Sequence, residues 1–188
     1  MLEYEKKIML TADEYQAIVK LLCKDLPIKT QTNYYFDTDN LDMNSNGITC
    51  RIREKDGRYK ATIKSHCAER PDCSVEEDLS EKTDFYPSSF TGFGLRYQGE
   101  LVTDRIVVQK DSDCELVIDR NTYLGYEDFE LEIEYREESE YMAQELLKRI
   151  AEILIAVNLL NDSQAFIDRA KQSKSKSHRF FEGKAERR

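Results

Sequence analysis

No stretch of about 18 apolar residues occurs in the 188-residue chain, so no transmembrane helix is expected. The charged opening Glu3-Tyr4-Glu5-Lys6-Lys7 predicts no secretory leader. No C-x-x-C pair occurs among Cys23, Cys50, Cys67, Cys73 and Cys114; their odd count suits a reducing, cytoplasmic setting. The spacing of His66, Cys67 and Cys73 matches no common zinc pattern and offers no fourth ligand. Basic excess is also missing. Lys and Arg number 28 against 37 Asp and Glu, a net charge of −9, which argues against a nucleic-acid partner. It leaves room for a local basic pocket holding a small anion. There is no internal repeat and no low-complexity tract. Charged residues make up 35% and hydrophobic residues 40%, enough for a soluble core in one domain.

The pattern of what is present reads mostly as strands. Residues 2 to 8 are the first. Thr11-Ala12-Asp13-Glu14 is a capping box that opens an amphipathic helix to about Lys24, with Tyr15, Ile18, Val19 and Leu22 on its packing stripe. Strands follow at 32–37, 48–54, 58–65, 74–79, 101–109, 114–120 and 128–136, with Asp56-Gly57 supplying a hairpin turn. Asn44 to Gly47 reads as turn, and Pro71 as loop. Residues 81 to 99 hold Pro87, Gly92, Gly94 and Gly99 and admit a short helix or a crossing loop. Met142, Leu146, Leu147, Ile150, Ile153, Leu154 and Val157 mark a long helix over 137–160. Gln164 to Ala170 suggests a short last helix. Order is expected to end near Phe181, giving one domain over 1–181 and a frayed tail over 182–188. Many short antiparallel strands with an early and a late helix define an α+β domain whose sheet can close into a barrel.

The strands share an unusual alternation. Glu3, Glu5 and Lys7 lie on one face of the first, with Tyr4, Lys6 and Ile8 opposite. Arg51 and Arg53 share a face, as do Lys60, Thr62 and Lys64, then Glu76 and Asp78, then Glu130, Glu132 and Glu134. Arg105 sits opposite Ile106 and Val108. Asp119 ends its strand in register with Glu115. One wet face and one packed face would explain alternation alone. The charges are nevertheless sorted by strand, acidic in the first and last, basic in the third and fourth. Arg forks and Lys ammoniums bind phosphate oxygens, and carboxylates hold Mg²⁺ or Mn²⁺. Such charges inside a barrel would each cost several kcal/mol unless water, metal and an anionic substrate compensated them.

The ordered set of motifs resembles the CYTH superfamily, the triphosphate tunnel metalloenzymes, in its stand-alone bacterial form. Glu3-x-Glu5-x-Lys7 is similar to the family's N-terminal signature. Asn33-Tyr34-Tyr35-Phe36-Asp37, Thr49-Cys50-Arg51-Ile52-Arg53, Lys60-Ala61-Thr62-Ile63-Lys64, Asp119 to Gly125 and Phe129 to Glu134 resemble its later strands in order. Ser175 to Phe180 resembles its basic C-terminal segment. One departure stands out: Cys73-Ser74-Val75-Glu76 lacks the arginine of the family's Arg-x-Glu.

The resemblance implies an eight-stranded closed antiparallel barrel with flanking helices and a charged lumen. It implies Mg²⁺ or Mn²⁺ held by Glu3, Glu5 and two of Glu130, Glu132 and Glu134, with the choice among the three left open. Arg51, Arg53, Lys60, Lys64 and Arg105 would grip phosphate oxygens, and Lys7 with Glu5 would serve the phosphate under attack. Lys176 and Arg179 would close one end, or else form a solvated basic tail. Asp37 is read as a turn residue, and Tyr34 and Tyr35 as packing. The implied activity is metal-dependent hydrolysis of inorganic triphosphate or another small triphosphate. The alternatives are a class IV adenylyl cyclase, for which no adenine-recognition motif is visible, and a non-catalytic polyphosphate sensor. The expected partner is a small polyphosphate, with neither membrane nor nucleic acid, in a monomer or homodimer.

Overall fold

The computed structural model describes residues 2–67, 70, 72–80, 86 and 89–187. The strands are β1 (Leu2–Leu10), β2 (Ile28–Asp37), β3 (Ile48–Lys55), β4 (Arg58–His66), β5 (Cys73–Asp78), β6 (Arg96–Lys110), β7 (Cys114–Tyr123) and β8 (Tyr126–Tyr135). The helices are α1 (Ala12–Leu22), α2 (Asp42–Ser45), α3 (Glu140–Ala156), α4 (Ser163–Asp168) and α5 (Lys176–Ala185). The strands close into an antiparallel barrel in the order β1-β5-β4-β3-β2-β6-β7-β8. β1 therefore lies across the lumen from β2, and β8 across from β3. The acidic last strand thus faces the arginine strand through the barrel.

Local chemistry explains most boundaries. Thr11 and Glu14 form the reciprocal capping box that starts α1. Asp56 and Gly57 both take positive φ, 53° and 72°, as a tight β3–β4 hairpin requires. Leu124 and Gly125 do the same at 48° and 75° between β7 and β8. That second hairpin carries β7 and β8 further towards their shared turn than the alternation suggested.

The barrel's outer surface makes the core. Ile8, Leu10, Ile106, Ile118, Leu131 and Ile133 pack against Ile18, Leu147, Ile150, Leu154 and Phe166 from α1, α3 and α4. Each such buried side chain contributes about 1.5–3 kcal/mol. Phe36, Cys50, Ile52 and Ala61 on the outer face of β2–β4 lie under Phe90 of the 3₁₀ turn Ser89–Phe93. A third cluster, Tyr35, Leu101, Tyr123, Phe180 and Phe181, closes one end of the barrel where α5 inserts.

Gly99 makes that insertion possible. Its φ is 137°, and a Cβ there would lie 2.7 Å from Cζ of Phe180. Gly99→Ala should destabilise the fold by about 1–3 kcal/mol through overpacking, read as a lower midpoint in urea.

Several expected boundaries move. β2 starts at Ile28, and β6 at Arg96, earlier than their apolar alternation suggested. The expected turn at 44–47 is instead the end of α2 and its cap, with Gly47 at φ 70°. The long helix divides into a 3₁₀ turn, Glu137–Ser139, and α3, which ends at Ala156. α5 runs to Ala185, and its Gly183 is buried against Tyr126, so 182–185 belong to a packed helix and not to a frayed tail. The readings placed on Pro71 and on 81–85, 87 and 88 lie outside the described residues.

Candidate functional site

The period-two side chains of the strands meet inside the barrel. A cavity of about 190 Å³ is lined by Glu3, Glu5, Lys7, Arg51, Arg53, Lys60, Lys64, Glu76, Arg105, Glu132, Glu134 and Lys176, together with Tyr35, Thr49, Ser175 and Ser177. Seven cationic side chains and five carboxylates line it, so the cavity's own lining has a cationic excess although the chain carries −9. Arg53, Lys60, Arg105 and Glu134 also line a wider mouth of about 860 Å³, ringed by Lys29, Lys55, Arg58 and Lys110.

Most of these charges are paired. Lys7 Nζ stands 3.1 Å from both Glu5 and Glu132. Lys64 Nζ stands 3.1 Å from Glu3 and 3.7 Å from Glu5. Arg51 donates to Glu76 at 2.7 Å and to Thr62 at 3.0 Å. Arg105 forks onto Asp119 at 2.8 and 2.6 Å and also meets Glu132. Lys60, about half exposed, pairs with Asp78 at 3.0 Å at the outer mouth.

The electrostatics follow from burial and these partners. Burial favours neutral Glu5, but Lys7 and then Lys64 hold its carboxyl well below the usual carboxylate range. Burial likewise opposes the charge on Lys7, and Glu5 and Glu132 outweigh it, raising the ammonium above the ordinary lysine range. Glu134 meets solvent by way of the two cavities it lines. The surrounding wall, then Glu132, raises its carboxyl pKa against the pull of Arg105, and Glu5 and Glu3 add to the rise.

Arg53 is the exception. Among the described residues it has no carboxylate partner, and its Nε donates to Asn33 at 3.0 Å. Burial, then Arg51 and Arg105, lower its guanidinium to about 10, still charged at neutral pH. Beside it on β2, Gln31 Nε2, Asn33 Nδ2 and the Tyr35 hydroxyl are buried without hydrogen-bond partners among the described residues. A cation and three unpartnered polar groups on adjoining strands are a cradle for oxyanions.

The C-terminal segment is part of the site. The side chain of Ser175 caps α5, accepting from the His178 amide at 3.2 Å. The helix directs Lys176 inward, where its ammonium meets Asp119 at 2.9 Å, Glu132 at 3.0 Å and Glu130. Arg179 forks onto Asp128 at 2.8 and 3.1 Å and reaches Glu130 at 2.7 Å. Ser177 accepts from buried Thr49 at 2.8 Å. The reading of this segment as a solvated tail is therefore overturned. Lys176 is buried, and although three carboxylates surround it, that burial pulls its pKa well below the ordinary lysine range against the opposing pull of Asp119.

The structure separates the acidic residues into two groups. Asp119, Glu130 and Glu132 offer oxygens within 4.8 Å of one another, and Lys176 occupies that cluster. Glu3, Glu5 and Glu134 stand together further along, with Glu5 directly opposite Glu134 in the β1–β8 register. Asp37 accepts the backbone amides of Thr38, Met43 and Asn44, which is a turn-building role. Tyr35 packs on Phe180 at 4.9 Å and Tyr34 on Tyr97 at 6.4 Å, as packing residues do. Asp119 and Asp128 were missed as site residues. Asp119 is a single acid without the doubled spacing that marks β1 and β8, whereas Asp128 continues the i, i+2 run of Glu130, Glu132 and Glu134 on β8. The signal for Asp119 was its even spacing from Glu115 and Asn121, which puts it on the same strand face as both.

The fold and site together define a closed antiparallel barrel whose lumen carries both cationic side chains and carboxylates. The CYTH domain model matches residues 1–158, and the chain belongs to that family. It is 29% identical over 148 residues to YjbK of Bacillus subtilis (strain 168), provisionally named a triphosphatase; the match covers 71% of this chain and 77% of that one. Among solved structures it resembles a Bacillus halodurans protein provisionally named an adenylate cyclase, with TM-score 0.65, 23% identity and 95% and 97% of the two chains covered. It also resembles HpAC1 of Hippeastrum, described as a provisional adenylyl cyclase with dominant triphosphatase activity, with TM-score 0.58, 20% identity and 79% and 87% covered.

Proposed function

We propose that this chain is a metal-dependent phosphohydrolase acting on inorganic triphosphate or another small triphosphate-bearing molecule inside its barrel. The observation that carries this reading is the cationic excess lining the cavity, with Arg53 free of any carboxylate partner among the described residues. The kinship with a relative named for triphosphatase activity supports it.

The donor set suits a hard divalent cation, Mg²⁺ or Mn²⁺. Glu134 lacks an ion-pair partner among the described residues, and Glu3, Glu5 and Glu132 crowd its carboxyl. Glu3, Glu5, Glu134 and Glu132, which line the cavity, would hold the ion, while Glu130, which does not line it and is bonded to Lys176 and Arg179, would not. When bound, such an ion neutralises phosphate charge and lowers the pKa of a coordinated water. Arg51, Arg53, Lys64 and Arg105 would hold the phosphate oxygens from β3, β4 and β6. Lys7, fully charged between Glu5 and Glu132, would stabilise charge developing on the phosphoryl group under attack. The tunnel wall would hold the triphosphate in line.

Phosphate release from inorganic triphosphate should require Mg²⁺ or Mn²⁺ and stop on chelation. Glu5→Ala and Lys64→Ala should each lower it, with the fold confirmed by circular dichroism. ATP is assayed in parallel for phosphate and for cyclic AMP. Cyclic AMP as the main product would replace this reading with the cyclase. Metal-supported binding without turnover of either compound would replace it with a sensor.

A further inference from the structure

The β4–β5 register runs Thr62↔Asp78, Ile63↔Glu77, Lys64↔Glu76, Ser65↔Val75 and His66↔Ser74. The next step places Cys67 opposite Cys73. The Cys67 amide donates to the Cys73 carbonyl at 3.0 Å, and the two sulfurs are 2.7 Å apart. Directly opposed residues of an antiparallel pair have the Cα separation that a disulfide spans. Lys64 and Glu76 face the lumen, so this odd-numbered pair lies on the outer wall, away from the site. Cys67 is half-buried and Cys73 is 5% exposed, so a reagent reaches Cys67 first.

The position of the pair gives it leverage. Among the described residues β1 pairs with β5 over Leu2↔Val75, Glu3↔Ser74 and Tyr4↔Cys73, whereas its pairing with β8 runs from Tyr4 to Leu10. The next contact along the short seam is the Glu5 amide donating to the Asp72 carbonyl at 2.9 Å. Asp72 is itself held by Arg70 and by the Tyr135 hydroxyl at 2.6 Å. The seam that carries Glu3 and Glu5 therefore depends on the segment ending at Cys73.

We propose that Cys67 and Cys73 form a redox site whose reversible disulfide staples the β1–β5 seam. The oxidant class is a small disulfide such as glutathione disulfide. The Cys67 thiolate attacks one of its sulfurs and releases one glutathione thiolate, which takes up a proton. Cys73 loses its proton, attacks Cys67 in the mixed disulfide and releases the second glutathione. Two protein thiols are oxidised and one glutathione disulfide is reduced to two thiols. The hydrogen bond with Cys67, then burial, push the Cys73 thiol up to about 11, consistent with Cys67 reacting first.

The test holds the full chain in glutathione buffers of increasing oxidation, blocks remaining thiols and maps the peptide containing both residues. The expected result is a Cys67–Cys73 link, reversed by dithiothreitol. It should raise Tm by about 5 °C over the reduced protein and slow exchange of the Glu5 amide by about tenfold. Cys67→Ser and Cys73→Ser should each abolish the link and the shift. If the buried Cys73 variant fails to fold, Cys67→Ser carries the comparison. Two blocked thiols under oxidising conditions, glutathione adducts without a link, or a link that leaves Tm and Glu5 exchange unchanged would overturn the proposal.

Discussion

Arg53→Met should cost no more than about 1–2 kcal/mol of stability, the loss of one neutral acceptor's partner at buried Asn33, and raise KM for triphosphate roughly 100-fold, the loss expected for charge-assisted hydrogen bonds to phosphate. Both halves follow from one fact: Arg53 has no carboxylate partner among the described residues, only the Asn33 side chain at 3.0 Å. Removing it strands no buried anion. It also relieves the burial and the repulsion from Arg51 and Arg105 that pull its pKa down to about 10. Arg105→Met is the instructive contrast. That change takes two hydrogen bonds from Asp119 and one from Glu132, both buried, and should cost about 3–5 kcal/mol of stability. Urea midpoints and steady-state kinetics on the two variants separate an arginine awaiting substrate from one that also holds the wall. Equal destabilisation of both, or an unchanged KM in Arg53→Met, would remove Arg53 from the substrate site.

The legibility of this site in sequence follows from strand geometry. Doubled charges at i and i+2 occur on β1, β3, β4 and β8, and such a pattern on a strand fixes a shared face whatever the fold. Closure of the sheet then decides whether that face is wet surface or lumen, and the local pattern does not contain that information. The ordered resemblance of the motifs supplied it. The first half of β2, Ile28-Lys29-Thr30-Gln31, was missed because its inward residues are neutral or basic and its outward residues are exposed, leaving no hydrophobic alternation. The start of β6 was hidden by Gly99, which reads as a loop residue and serves as the space for Phe180. α5 was hidden by composition. A run such as Lys174-Ser175-Lys176-Ser177-His178-Arg179 looks solvated until a cluster of carboxylates is found waiting for it.

That cluster yields the second large effect. Lys176→Met should cost about 3–5 kcal/mol at pH 8, because it leaves Asp119, Glu130 and Glu132 together with their compensating ammonium gone. In the wild type, burial works against the Asp119 charge, but Lys176 and then Arg105 hold its carboxyl down to about 2. A carboxyl depressed on folding adds stability that is fully present above its unfolded pKa, roughly 3.9, and lost as pH falls towards 2. The variant reverses the sign. With three crowded carboxylates and one fewer cation beside them, Arg105, Arg179 and the Lys7 that meets Glu132 remaining, the folded state takes up protons more readily than the wild-type fold does. Its stability should therefore rise as pH is lowered from 8 towards 5, whereas the wild type, whose buried Lys176 is pulled well below the ordinary lysine range and so binds fewer protons folded than unfolded, should gain none. A divalent cation should rescue the variant in the same way, since the three oxygens lie within 4.8 Å of one another and accept a cation in place of the ammonium. Thermal unfolding of both proteins across pH, with and without Mg²⁺ or Mn²⁺, measures this directly. A variant whose stability follows the wild-type pH profile and ignores both ions would show that α5 is held by its apolar contacts alone, with Phe180 and Phe181 against Tyr35 as the anchor.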